Sequence, residues 1–247
     1  MKTRLDLALV ARGLAESRSK AQALVMAGQV RVDGQVETKS SRAVDEGSAV
    51  EVEAPPRFVS RGGEKLEGAF EAFAELDVAG RDCLDVGSST GGFTDCLLQH
   101  GAAFVMAVDV GTNQLDYRLR TDPRVWVREN FNARHMTGKD LPKTPEVAVT
   151  DVSFISLRLI LPPICGVVAP GGLVLALIKP QFEVGRGNAP GGLVRDAALR
   201  EEARDGIRSF ARRELGLEEV GCVQSPVPGR EKGNIEYLAL WRMTRRI

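Results

Sequence analysis

Net charge is the first thing this chain lacks. Over 247 residues, 33 Lys and Arg offset 33 Asp and Glu, so a nucleic-acid surface would have to be a local patch and not a global bias. Paired cysteines are missing as well. Cys83, Cys96, Cys165 and Cys222 are scattered without a C-x-x-C spacing, which predicts reduced thiols in a reducing compartment and argues against a zinc site, so no metal is expected. No apolar run is long enough to span a membrane: the window 157–178 is broken by Arg158, Pro162, Pro163, Pro170 and glycines. Met1-Lys2-Thr3-Arg4 carries positive charge, but Asp6 and Arg12 interrupt the apolar stretch that a secretion signal needs. These absences predict a cytoplasmic protein with no membrane partner. Apolar content of 43% and charged content of 27% are those of an ordinary folded chain, long enough for one large domain or a small and a medium one.

What is present is organised around residues 82–93. Cys83, Leu84 and Val86 form an apolar strand that includes Asp85 and runs into a loop with Gly87, Ser88, Gly91 and Gly92, followed by Phe93 and a helix-compatible segment to His100. Strand, glycine loop and helix make the first unit of a doubly wound α/β domain, in which ligands sit beyond the carboxyl ends of the strands. A second strand, 104–108, ends at Asp109, about 20 residues after Gly87, where a carboxylate can hold both ribose hydroxyls. The loop is not the dinucleotide G-x-G-x-x-G, because Ser88 and Ser89 follow Gly87. Its D-x-G-x-x-x-G-G-F pattern resembles the first motif of S-adenosylmethionine methyltransferases. A turn that merely needs glycine is the plainer alternative, and Asp109 weighs against it. The cofactor set is then Asp85, Gly87, Ser88, Gly91, Gly92, Phe93 and Asp109. After strand 125–127, Asn130 or Asn132 would face the adenine.

Residues 1–54 read as a separate α+β unit. Leu5, Leu9, Val10 and Leu14 have helical spacing, Ser17 is an N-cap for a helix from Arg18 to Ala27, and Gly28 is its stop. Short strands follow at Val30–Val32 and Ala49–Val52, with a turn at Asp33-Gly34. Basic residues gather early, at Lys2, Arg4, Arg12, Arg18, Lys20, Arg31, Lys39 and Arg42, and acids late, at Asp45, Glu46, Glu51 and Glu53. A solvated helix surface is the plain reading of such a run. The segments Arg4-Leu5-Asp6, Gly13-Leu14-Ala15 with Ser17-Arg18, and Val30-x-Val32-Asp33-Gly34 closely resemble the S4 RNA-binding fold. That resemblance implies RNA contacts by Arg4, Arg12, Arg18, Lys20 and Arg31. A stiff linker, 55–63 and opening on Pro55-Pro56, would join this unit to an α/β domain over 64–247.

In that domain a helix near 64–75 carries Lys65 in its first turn, where the helix dipole disfavours a cation. A fourth strand ends at Asp151 and a fifth at Lys179, so both point into one crevice. Two last strands, 217–223 and 235–241, close the sheet, the second starting near Glu236. Lys65, Asp151, Lys179 and Glu236 resemble the tetrad of FtsJ-like ribose 2′-O-methyltransferases. With the S4-like unit and the segments Asp151-Val152-Ser153-Phe154-Ile155-Ser156 and Lys179-Pro180-Gln181-Phe182-Glu183, the whole chain resembles the TlyA family. Its members are often called haemolysin A and methylate rRNA cytidine on the 2′-hydroxyl. One departure lies at Arg57-Phe58-Val59-Ser60, where some members have a Trp-containing segment.

The resemblance implies a seven-stranded Rossmann-like α/β fold, S-adenosylmethionine as cofactor and ribosomal RNA as partner. Lys179 would be the general base, or the positive partner of the forming alkoxide. Lys65 would ease its deprotonation by repulsion, with Asp151 and Glu236 orienting the cluster. Three other readings are an RNA-binding assembly factor with an inactive methyltransferase domain, a small-molecule O-methyltransferase and a membrane-lysing toxin. The intact loop and tetrad count against the first, the S4-like unit against the second, and the lack of a basic amphipathic segment against the third.

Overall fold

The computed structural model describes residues 2–53, 56–185, 187–229 and 233–244, and the chain divides into the units Met1–Arg57 and Phe58–Ile247. Ala54 and Pro55, where the first unit meets the expected linker, and Arg186 lie outside the described residues.

In the first unit β1 (Lys2–Arg4) runs straight into α1 (Leu5–Ala11). Ser17 opens α2 (Arg18–Met26) by accepting a hydrogen bond from the Lys20 N–H at 3.3 Å. Gly28 follows at φ +71°, the left-handed stop that only glycine adopts without strain. β2 (Val30–Val32) pairs antiparallel with both β3 (Gln35–Val36) and β5 (Val50–Val52). β4 (Ala43–Asp45) pairs with β1. In that second ribbon all three residues of β1 are exposed, and β4 turns only Val44 inward. Leu5, Leu9, Ala21, Val25, Val30, Val32 and Val44 form the core.

The second unit is built on a seven-stranded sheet. β6 (Asp82–Val86), β7 (Phe104–Val108), β8 (Val125–Arg128), β9 (Val147–Thr150) and β10 (Leu173–Ile178) are parallel. β12 (Tyr237–Arg242) lies antiparallel between β10 and β11 (Glu218–Gln224), giving the order β11-β12-β10-β9-β6-β7-β8. This is the Rossmann-like sheet the sequence implied.

Alternation along the strands divides the core. Leu84, Val86, Met106, Val108, Val174 and Ile178 meet α6 (Leu161–Val167) and α8 (Ala197–Arg213) through Ile164 and Ile207. Cys83, Val105, Val149, Leu175 and Leu177 meet α3 (Gly62–Ala72) and α4 (Gly92–Gln99) through Leu66, Ala69 and Leu97, and Leu119 of the short α5 (Tyr117–Arg120) joins them. Pro162 and Pro163, which break the apolar window, open α6; in a first turn the missing N–H groups have no helical acceptor to lose. Among the described residues no helix is long and apolar enough to cross a membrane.

Candidate active site

The chemistry gathers at one rim of this sheet, because of strand direction. Asp151 follows β9 and Lys179 follows β10 at their carboxyl ends. β12 runs the other way, with Ile178 opposite Tyr237, so Glu236 at its start reaches the same rim. Lys65 arrives from the first turn of α3. Its Nζ donates to Glu236 Oε2 at 2.7 Å and lies 3.8 Å from Asp151 Oδ2. Lys179 Nζ lies 2.5 Å from Asp151 Oδ1 and donates to Ser153 Oγ at 2.8 Å. Asp151 therefore bridges two ammonium groups, and the four side chains form one alternating chain of charge. Lys65, Lys179 and Glu236 are buried, at 7%, 8% and 2% exposure. Charges that far from water persist only when paired. The unfavourable placing of Lys65 near a helix N-terminus is explained by Glu236. Gln181, in α7 (Pro180–Glu183), donates to the other Glu236 oxygen at 3.3 Å.

Beside the tetrad lies the glycine loop. Gly87 has φ +84°, and a Cβ there would sit 3.0 Å from Val152 Cγ1 and 3.2 Å from the Asp151 carbonyl oxygen. The loop thus lies hard against the strand that carries Asp151. Gly91 has φ +97°, and a Cβ there would collide with Leu119 and Leu115. Asp109 Oδ2 accepts from the Ser89 N–H at 2.8 Å and Oδ1 from the Gly111 N–H at 2.7 Å, which fixes its carboxylate at the loop's mouth. Two buried atoms here lack a hydrogen-bond partner, Asp85 Oδ1 and Ser88 Oγ. The other Asp85 oxygen accepts from Thr94 Oγ1 at 2.6 Å. Burial pushes the Asp85 carboxyl up to about 7; the Thr94 hydroxyl opposes this and the Asp151 charge adds to it. A cramped glycine turn, an anchored carboxylate and two unmet polar atoms suit a polar ligand with a ribose. The residues present fit S-adenosylmethionine on those grounds.

Residues 58–243 match the FtsJ-like methyltransferase family and residues 3–50 match the S4 domain. The chain is 47% identical over 249 residues to the 16S/23S rRNA (cytidine-2′-O)-methyltransferase TlyA of Mycobacterium tuberculosis, covering 99% of this chain and 91% of that protein. The chain belongs to the TlyA family of FtsJ-like methyltransferases. A Streptococcus thermophilus structure described as a hemolysin is 42% identical, with a TM-score of 0.75 over 98% of this chain and 89% of that one. An S-adenosylmethionine-dependent methyltransferase of Mesorhizobium loti shares the fold alone, at 14% identity and a TM-score of 0.51 over 72% of this chain and 97% of that one.

Within this TlyA-family fold some expected site residues have other work. Phe93 is buried in the core that α3 and α4 cover. A Cβ on Gly92 would lie 2.3 Å from Ser60 Oγ and 2.8 Å from the Gly63 nitrogen; this glycine lets α4 approach the start of α3. Asn132 accepts from the Arg134 N–H at 3.1 Å and caps the turn 133–135. Asn130 is exposed at φ +53°.

The basic residues of the first unit are largely tied within it. Arg4, Arg18 and Gln22 all donate to the buried Asp6, and chiefly the Arg4 hydrogen bonds hold that carboxyl far below the usual range. Arg12 donates to the carbonyls of Ser48, Asp45 and Glu46, Lys20 pairs with Glu16, and Arg31 pairs with Glu53 and donates to the Gly34 carbonyl. The side chains of Arg4, Arg18 and Lys20 stay 43%, 55% and 69% exposed, so their outer edges remain open to solvent.

Sequence reasoning missed three residues of the rim. Glu129, after β8, accepts from the N–H groups of Asn113 and Gln114 and from Arg120 at 2.7–2.9 Å, pinning the loop beyond Asp109. Glu183 accepts from Ser156 Oγ at 2.6 Å and the Leu157 N–H at 2.8 Å, pinning the loop beyond Asp151. Phe154 stands in that loop at φ +63° and 84% exposure, against Phe182 with ring centroids 5.2 Å apart. An exposed aromatic next to the tetrad offers a base a face to stack on. Its signal in sequence was only a Phe three residues after Asp151. Away from the rim, Glu67, Cys96 and His100 come together between α3 and α4. His100 Nε2 lies 2.8 Å from Glu67 Oε2, the Cys96 thiol turns to the same oxygen, and the imidazole stacks on Phe70. The three groups already satisfy one another, as a clamp between two helices does.

Proposed function

We propose that the chain transfers a methyl group from S-adenosylmethionine to the 2′-hydroxyl of a cytidine in ribosomal RNA, with Lys179 as general base. The observation that carries this reading is the buried alternation Lys179–Asp151–Lys65–Glu236 standing directly beside the Gly87 loop. When bound, S-adenosylmethionine supplies a methyl group on a sulfonium, an electrophile that asks only for a nucleophile placed in line. Asp85, Ser88 and Asp109 would hold it, the last through its ribose.

A ribose hydroxyl is a weak acid and must lose its proton as it attacks. Lys179 ends β10 on a rigid strand, tethered by Asp151, and would take that proton at Nζ. Asp151 would stabilise the resulting ammonium, and Lys65 with Glu236 would keep Asp151 in place and the cluster neutral. Holding the hydroxyl in line supplies much of the remaining acceleration. The choice of RNA over a small molecule rests on the S4 match and on the named substrate of the M. tuberculosis relative. The cell compartment would then be the cytoplasm, and the partner a ribosomal subunit.

Lys179→Arg tests the base. A guanidinium keeps the charge and does not release its proton at working pH. With unmethylated ribosomal subunits and tritiated S-adenosylmethionine, the variant should bind the cofactor normally by calorimetry yet transfer almost no methyl. Mapping alkali-resistant linkages in the wild-type product identifies the ribose. Substantial turnover by Lys179→Arg would leave Lys179 with a charge-stabilising role only.

A further inference from the structure

We infer that Ser153 is a positioning residue for Lys179, its hydroxyl fixing the direction from which the amine meets the substrate hydroxyl. This rests on Lys179 acting as proposed above.

Lys179 Nζ has two neighbours at bonding distance, Asp151 Oδ1 at 2.5 Å and Ser153 Oγ at 2.8 Å. An ammonium group has three donor positions. The Asp151 contact is an ion pair without hydrogen-bond geometry and anchors the head by charge, whereas the Ser153 hydrogen bond fixes one donor position; together they leave a defined direction for substrate. Asp151 alone would not do this. It is shared with Lys65, and a single tether lets the head of a four-carbon side chain swing about it. Ser153 adds the second point needed to define a direction.

Ser153 itself gains little from the bond. It is exposed, so water could satisfy its hydroxyl at no cost, whereas Lys179 is buried. The loop that carries Ser153 is also held without it. Glu183, four residues after Lys179, accepts from both Ser156 and Leu157. β9 and β10 are hydrogen-bonded neighbours, with Thr150 opposite Ala176. The loop end is thus clasped to the very element that carries the lysine. Removing one exposed hydroxyl should leave fold, loop and cofactor loop intact and change only where the amine points.

The experiment is single-turnover methyl transfer from S-adenosylmethionine to unmethylated ribosomal subunits, at saturating concentrations of both. It compares wild type with Ser153→Ala, Ser153→Val, Ser153→Thr and Lys179→Met. Misplacement of a reacting group by about 1 Å costs roughly 100-fold, so Ser153→Ala and Ser153→Val should lose about 10- to 100-fold in rate. Cofactor affinity and melting temperature should not move. Ser153→Thr, which keeps the hydroxyl and matches Val in shape, should restore most of the rate. Lysine-selective 15N spectra give a readout apart from activity: the Lys179 ammonium protons should exchange with water faster in Ser153→Ala than in wild type. Full rates in Ser153→Ala and Ser153→Val beside an inactive Lys179→Met would overturn the inference and leave the lysine its role. A loss in Ser153→Thr equal to that in Ser153→Val would also overturn it, since the hydroxyl would then not matter. An active Lys179→Met would remove both the general base and the residue that aims it.

Discussion

Lys65 Nζ and Glu236 Oε2 lie 2.7 Å apart across 171 residues of sequence, each nearly closed to solvent. Breaking such a pair leaves one buried charge uncompensated, which costs about 3–5 kcal/mol, whereas removing both partners costs much less. Lys65→Met and Glu236→Gln should each lower unfolding stability by that order in urea titrations. The double variant should be clearly more stable than the sum of the two losses predicts. Strict additivity would mean that the pair is not coupled, and activity losses in either single variant have to be read against this change in stability.

Asp85 carries a different pH signature. Its folded-state carboxyl is pushed up to about 7 from an ordinary 3.8, so the folded protein holds a proton that the unfolded chain has released. Below 3.8 the group contributes nothing; above about 7 its penalty is complete, and stability falls as pH rises between the two. Asp85→Asn should flatten that part of the melting-temperature profile. If the unmet Oδ1 faces the cofactor, binding at pH 6.5 should also release protons, seen as a dependence of calorimetric heat on the buffer's ionisation enthalpy. The same buffer dependence in Asp85→Asn would place the titrating group elsewhere.

Asp109 should matter for affinity beyond the two backbone hydrogen bonds it accepts within the loop. Its two backbone hydrogen bonds leave carboxylate lone pairs free at the loop's mouth. Hydrogen bonds to a charged group are worth about 1.5–3 kcal/mol, so Asp109→Ala should weaken S-adenosylmethionine binding by roughly 10- to 100-fold in a calorimetric titration. An unchanged affinity would take Asp109 out of the site.

In the first unit, Lys20 and Arg31 are surface cations whose ion-pair partners, Glu16 and Glu53, are exposed carboxylates, and Arg31 also donates to the Gly34 carbonyl. Exposed pairs of this kind contribute about 0–1 kcal/mol to stability, so their partners are readily exchanged for phosphate. Lys20→Gln and Arg31→Gln should each reduce the slope of log affinity for rRNA fragments against log salt by about 1. Slopes equal to wild type would show that neither cation touches the RNA backbone.

Local order was legible without coordinates. Ser17 and Gly28 bracket α2, Gly87 ends β6, and Asp109, Asp151 and Lys179 end strands, because periodicity, capping and turn chemistry act over a few neighbouring residues. The resemblance to FtsJ-like methyltransferases added the tetrad as a set of four. Tertiary structure alone decided which tetrad members touch: Asp151 bridges both lysines, and Glu236 reaches Lys65 only because β12 reverses direction beside β10. It also turned Pro162 and Pro163 from an interruption into the start of α6, sent Phe93 into the core and bound Arg4 and Arg18 to Asp6. Ser153, Glu129 and Glu183 had no local signal, since each acts on a backbone or side chain brought to it by a neighbouring strand. Hydrogen-bond partners of that kind depend on sheet order, which follows from how two faces of alternating apolar residues are both buried, and no short window of sequence holds that information.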